Sequence, residues 1–259
     1  MKRPFYLSDR KKGFRPQSSL SEEPITFETT NSEGGVFYLP TEEVAGGDSF
    51  AIKADEYFTV SLLEDMTGHG RIGNLRMTPF ISDLETLTMS ASKKDFEPKE
   101  FVKKIAQLDA KLDPSSLIAL SFARIQPDGT LCYLNEGENQ FILYREGRIE
   151  NVSREVSHGK IGLFKFVIGD TKSIVEAVSL STLRLKKDDR LLICSDGVVD
   201  LNSMDSSEER IEEIENCLAY ANSTQEIIKD INNAAERRLR RRGAERPDDD
   251  YTLIALQVK

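Results

Sequence analysis

The sequence predicts an α+β domain in which antiparallel strands are covered by amphipathic helices. Three observations predict it: apolar runs of strand length recur along the chain, turn signals rich in Pro, Asp and Gly punctuate them, and longer segments between them carry apolar residues at helical spacing. The strand runs are 57–63, 117–125, 131–134, 140–144, 190–194 and 252–258. Pro127-Asp128-Gly129 and Arg145-Glu146-Gly147 punctuate the middle three, which read as an antiparallel meander. A helix begins near Asp95, with Pro98 in its first turn and Val102, Ile105 and Leu112 on one face. Ser206-Ser207-Glu208-Glu209 and Ser223-Thr224-Gln225-Glu226 are capping-box signatures. Ile211, Ile214 and Leu218 follow the first; Ile227, Ile231 and Ala235 follow the second. Between 71 and 90, Ile72, Leu75, Met77, Phe80, Ile81 and Leu84 supply apolar surface for one more packed helix.

A chain of 259 residues buries roughly 70–75% of its unfolded surface, so its core needs no staples. Residues 1–35 are polar, basic at the start and without a clear period, and are expected to form a poorly ordered N-terminal arm; 36–259 is expected to be a single domain. The net charge of −9 argues against nucleic acid and against an anionic membrane as partners. Cys132, Cys194 and Cys217 are odd in number and set in apolar runs, which predicts buried thiols in a reducing compartment. Two histidines, His69 and His158, exclude a His-rich metal site. Met1-Lys2-Arg3-Pro4 is followed by no apolar signal segment and no run reaches transmembrane length, so the expected location is the cytoplasm.

The informative feature is the position of the aspartates. Val60-Ser61-Leu62-Leu63 runs into Glu64-Asp65, and Leu191-Leu192-Ile193-Cys194-Ser195 runs into Asp196-Gly197. Asp248-Asp249-Asp250 immediately precedes the last strand, and Asp48 follows Gly46-Gly47. Acids at the ends of apolar strands, with glycines beside three of them, put charge at a rim where a ligand can approach backbone closely. If they converge, like charges at short range force protonation unless cations intervene. An all-oxygen donor set suits Mg²⁺ or Mn²⁺, the ions of two-metal hydrolytic sites. Taken singly, each acid is more often a turn or cap residue, and spacing alone does not bring them together.

Four segments carry a family resemblance. Leu39-Pro40 through Glu43-Val44-Ala45-Gly46-Gly47-Asp48 resembles the opening motif of the SpoIIE/RsbU-type branch of the metal-dependent (PPM) protein phosphatases. Asp65-Met66-Thr67-Gly68-His69-Gly70 resembles its D-V-x-G-H-G motif. Asp189-Arg190 through Cys194-Ser195-Asp196-Gly197-Val198 resembles its G-D-R-L-L-L-x-x-D-G-V segment, and Asp249-Asp250-Tyr251-Thr252-Leu253 its closing D-D-x-T-L. They occur in family order. The resemblance implies a central antiparallel β-sandwich flanked by helices. It makes Asp48, Asp65, Asp196 and Asp249 metal ligands, with Asp65 bridging two Mn²⁺ or Mg²⁺ ions and catalytically central, and the Met66 carbonyl a backbone ligand. Asp250 reads as an acid behind the ligands. The implied activity is hydrolysis of phosphoserine or phosphothreonine by a metal-bridging water. The implied substrate is a phosphorylated STAS-domain antagonist in partner-switching signalling, and a regulatory protein partner is expected.

The chain also departs from the pattern. Asn135-Glu136-Gly137-Glu138 stands where the family often has N-A-G-H, Glu64 replaces a Gly, and Arg71-Ile72-Gly73 follows the central motif in place of small residues. Gly68-His69-Gly70-Arg71-Ile72-Gly73 also matches a dinucleotide-binding G-x-G-x-x-G, but Glu64-Asp65 supplies the wrong field for a pyrophosphate and no second parallel strand follows. A catalytically weak or inactive binding module on the same fold is the alternative reading. Ser195 lacks the surroundings of a nucleophile elbow, His69 reads as packing behind the glycine turn, and Arg237 to Arg242 read as a solvated helix face.

Overall fold

The computed structural model describes residues 5–8, 14–41, 47–67, 75–76, 78–112, 116–152, 159–201 and 207–259. Twelve strands lie among them: β1 (Phe5–Ser8), β2 (Ile25–Glu28), β3 (Ser32–Leu39), β4 (Asp48–Ala54), β5 (Thr59–Met66), β6 (Ile118–Ile125), β7 (Thr130–Glu136), β8 (Gln140–Arg145), β9 (Arg148–Asn151), β10 (Ser181–Arg184), β11 (Arg190–Cys194) and β12 (Tyr251–Val258). They form two six-stranded sheets, in the orders β1-β4-β5-β6-β7-β10 and β2-β3-β12-β11-β8-β9. Neighbours in both sheets are antiparallel.

The two-residue side-chain period of a strand builds the layers. Phe50, Ile52, Leu63, Ala123 and Ile125 of the first sheet meet Val36, Phe141, Leu191, Ile193, Ile254 and Leu256 of the second, and this is the inter-sheet core. The alternate residues face outward onto helices. Val60, Leu62, Ile118, Leu120 and Phe122 pack under α1 (Ile81–Ala91) and α2 (Pro98–Lys111), together with α3 (Phe164–Val167) and α4 (Thr171–Ala177). Phe37, Ile142, Leu192, Cys194, Leu253 and Ala255 pack under α5 (Asp196–Val199), α6 (Ser207–Tyr220) and α7 (Thr224–Arg241). The result is a helix–sheet–sheet–helix sandwich, the α+β architecture expected.

Local chemistry explains the helix boundaries. Pro98 opens α2, whose buried face is Phe101, Val102, Ile105, Ala106 and Leu108. Ser223 Oγ accepts from Glu226 N at 3.2 Å, and the Glu226 carboxylate accepts from Asn222 N at 2.7 Å, so the second capping box closes one residue earlier than its ideal form. Ser206 and most of 71–77 lie outside the described residues; the helix expected there is seen as a 3₁₀ turn at Thr78–Phe80 leading into α1.

Two expectations differ from the structure. The strands at 117–125, 131–134 and 140–144 do not form one meander: β6 and β7 pair in the first sheet, whereas β8 pairs with β11 and β9 in the second. The chain changes sheets at Gly137, whose φ of +97° supplies a bend that other residues rarely adopt. The segment 1–35, expected as an arm, supplies β1, β2 and the start of β3. Phe5 stacks on Phe27 at 4.8 Å, and Phe14 meets Phe50 edge-on at 5.4 Å.

Candidate metal centre

The expected site residues gather at one end of the sandwich. Asp48, the first residue of β4, lies directly opposite Asp65, next to last in β5. Both share strand parity with inter-sheet residues, Phe50 and Ile52 in β4 and Leu63 in β5, so they face the space between the sheets. From the second sheet, β11 ends at Cys194 and leads through Ser195 to Asp196 at the head of α5; Asp249 and Asp250 precede β12. Thr252 Oγ1 donates to Asp48 Oδ2 at 2.5 Å, which joins the two sheets at this end.

Glycine and serine backbone contacts hold the second-sheet acids in place. A Cβ on Gly197 would sit 2.1 Å from the Asp250 carbonyl oxygen, so only glycine lets α5 start against the Asp249-Asp250 backbone. Ser195 Oγ donates to the Asp250 carbonyl at 3.2 Å and accepts from Thr252 N at 3.0 Å, a structural role. Behind α5, the fully buried Arg210 donates to the carbonyls of Val198 at 3.1 Å and Ile231 at 3.2 Å and pairs with Glu213 at 2.8 Å, tying α5, α6 and α7 together. Asp189 of the same motif accepts from Arg145 Nε at 3.0 Å and from Lys186 N at 2.8 Å.

Asp250 acts as a brace. Its Oδ1 accepts from Thr41 N at 2.6 Å and Thr41 Oγ1 at 2.9 Å, and its Oδ2 from Gly47 N. These bonds fix both ends of the 41–47 segment that delivers Asp48. Met66 closes β5, with its side chain buried on the helix side and its N–H donating to the Gly47 carbonyl at 3.2 Å. Gly68, His69 and Gly70 lie outside the described residues.

The electrostatics show that the acids sense one another. Burial, then repulsion from Asp65 and Asp250, raises the Asp48 carboxyl well above its ordinary range, and the Thr252 hydroxyl pulls it partly back. Burial and the Asp196 charge push Asp65 up to about 8. Burial and the Asp249 charge push Asp196 up to about 6. Lys160 opposes the last two shifts. Among the described residues no three His, Cys, Asp or Glu side chains are drawn tightly enough together to hold a metal ion as they stand. The donor chemistry fits a hard divalent cation: the acids are oxygen donors whose mutual repulsion a cation relieves. Cys194 does not compete, since burial pushes its thiol up to about 12 and it packs in the outer core.

Sequence reasoning missed three contributors. Thr252 was visible in the closing motif without a role. Glu138 was visible as a departure. Lys160, which pairs with Glu138 at 2.9 Å, gave no sequence signal at all.

Residues 59–259 match the family described as Stage II sporulation protein E (SpoIIE). No curated protein sequence matches the chain. Among solved structures, RsbX in complex with magnesium is 20% identical with a TM-score of 0.62, over 91% of this chain and 100% of that one. The RsbU and RsbW domains of a Mycobacterium tuberculosis protein are 20% identical with a TM-score of 0.69, over 95% of this chain and 64% of that one. The phosphatase domain and regulatory fragment of Bacillus subtilis SpoIIE are 16% identical with a TM-score of 0.67, over 89% of this chain and 64% of that one. At these identities the structures speak for the fold, and the family match covers most of the chain. The chain therefore belongs to the SpoIIE family, on a fold it shares with these solved structures.

Proposed function

We propose that this protein is a metal-dependent serine/threonine phosphoprotein phosphatase that removes phosphate from a STAS-type antagonist in partner-switching signalling. The observation that carries the reading is the set of mutually repelling carboxylates, Asp48 buried and Asp65, Asp196 and Asp249 half-buried, contributed by both sheets at one end of the sandwich. Such a set is costly unless divalent cations bind it. Asp48, Asp65, Asp196 and Asp249, with the Met66 carbonyl, are the residues that would hold two Mg²⁺ or Mn²⁺ ions. The bound ions would supply an acidified water and neutralise charge on the phosphoryl group. Asp65, in mid-site and fixed opposite Asp48, is assigned the bridging position. Thr252 orients Asp48, and Asp250 and Gly197 set the backbone that aims Asp48, Asp196 and Asp249.

A relative solved with magnesium supports the choice of ion. A relative with RsbU and RsbW domains in one chain supports a partner-switching setting and a regulatory partner. Among the described residues no helix is long and apolar enough to cross a membrane, in keeping with action in the cytoplasm.

The test is hydrolysis of an aryl phosphate and of phosphorylated STAS proteins across a Mn²⁺ titration. Turnover should require the metal. Asp65→Asn, which keeps shape but loses the bridging charge, should lower it by at least about 100-fold at saturating metal, since metal-site charge is worth several kcal/mol. A folded wild-type protein that binds Mn²⁺ but turns over neither substrate class would point instead to a binding module on this fold.

A further inference from the structure

One row of residues crosses the first sheet at the metal end. Asp48 lies opposite Asp65, and Asp65 opposite Ala119. The β6–β7 pairing ends at Leu120 and Glu136, so the row continues from Ala119 to Gly137 just past the strand. A Cβ on Gly137 would lie 2.6 Å from the Ala119 Cβ and 3.3 Å from the Lys160 Cγ. The absent side chain is thus a notch, and the Lys160 stem lies against it. Lys160 is aimed from the other side by its neighbour: Ile161 bridges Ile118 through hydrogen bonds of 2.8 and 3.0 Å, and Ile118 is the partner of Met66. The Lys160 ammonium therefore comes to the same end of the sheet as the acids, and its field is felt at both Asp65 and Asp196.

We propose that Lys160 is a phosphate-binding residue of this site, with Glu138 as its latch: the ammonium takes non-bridging oxygens of the phosphate monoester dianion presented to the carboxylates. The proposal rests on the phosphatase reading above and adds to it a group that the carboxylate motifs do not contain. Glu138 stands where the family motif has a histidine, and its carboxylate holds Lys160 Nζ at 2.9 Å. The Lys160 side chain is 20% exposed and that of Glu138 is 64% exposed, so the cation is sheltered and its partner faces water. An ion pair with one member in solvent is weak, and an incoming dianion displaces the carboxylate readily. Burial draws the Lys160 pKa down, but Glu138 and the acids more than restore it, and the side chain is charged when phosphate arrives. Once the carboxylates' charge is compensated, their hold on Lys160 lapses and the phosphoryl group becomes its strongest partner. The alternative role, a fixed counter-ion for the acids, would not place the cation at the rim in the grip of an exposed carboxylate.

The experiment is calorimetric titration of inorganic phosphate into the magnesium-loaded protein, for wild type, Lys160→Met, Lys160→Arg and Glu138→Gln, each checked for folding by its melting curve. Lys160→Met should weaken phosphate about tenfold, the value of one charge-assisted hydrogen bond. Lys160→Arg should keep most of the affinity, and Glu138→Gln should strengthen it by freeing the ammonium. With an aryl phosphate substrate, Lys160→Met should raise KM. Equal phosphate affinity in wild type and Lys160→Met, including no binding by either, overturns the proposal. If Lys160→Met instead tightens magnesium with phosphate affinity unchanged, Lys160 is only a counter-ion. Failure of the phosphatase reading shows separately, as a wild-type protein that binds no divalent metal or turns over no substrate.

Discussion

Thr252 illustrates how much one hydroxyl decides at the residue scale. It is buried, belongs to the second sheet, and donates to Asp48 of the first. Its bond favours the charged form of a carboxyl whose pKa burial and Asp65 raise. Thr252→Val keeps the shape and removes the donor. Asp48 should then hold its proton more tightly, and metal must compete with that proton. We expect metal affinity to fall by about 10- to 100-fold at neutral pH, as for other groups that orient ligands, and the deficit to shrink as pH rises. Calorimetry at two pH values checks both parts. The acids themselves were legible because strand-end aspartates beside glycine are a readable pattern. Lys160 was not, because its nearness to Asp65 depends on the Ile118–Ile161 bridge, a contact between distant parts of the chain.

At the element scale, Asp250 and Gly197 join strand ends to the segments that carry the proposed ligands. Asp250 accepts three hydrogen bonds from Thr41 and Gly47. Asp250→Asn replaces one acceptor with a donor and leaves part of that set unpaired, at a cost of about 1–3 kcal/mol. A brace predicts a specific kinetic outcome: more Mn²⁺ is needed for half-maximal turnover, while turnover at saturating metal largely recovers. A metal ligand at this position would lose turnover even at saturation, so a Mn²⁺ titration separates the two. Strands β5 to β8, β11 and β12 were readable because each is a dense apolar run bounded by turn residues. Their partners were not. A strand such as β8 alternates in the same way whichever sheet receives it, and the bend at Gly137 made that choice. The first two strands are only four residues each and β2 is half polar, which left them looking like an arm.

For the whole molecule, the raised carboxyls set an unusual pH dependence. Asp65 at about 8 and Asp196 at about 6 lie above the 3.8 of an unperturbed aspartate, so between about pH 4 and pH 8 the native metal-free chain binds more protons than the unfolded one. Its stability should fall as pH rises through that window. Glu213 acts oppositely: burial pushes its carboxyl up, but Arg238 and Arg210 pull it below the usual range, so its contribution is lost as pH falls through the acid range. Urea midpoints measured against pH in EDTA should therefore peak on the acid side. Millimolar Mg²⁺ should raise the midpoint most at the alkaline end, where no protons need be displaced. A pH-independent gain from Mg²⁺ would mean the acids are not the binding site. The same architecture has a mechanical consequence. Asp48 and Asp65 ride on one sheet, Asp196 and Asp249 on the other, so the proposed centre would work as a caliper on the gap between the sheets. Ala123 is fully buried in that gap, in the inter-sheet core. Ala123→Leu is a wedge that touches no ligand, and it should spread the jaws and loosen Mg²⁺ binding. Ala106→Leu, a wedge of the same size beneath the helices, should cost comparable stability and leave the caliper's reading unchanged.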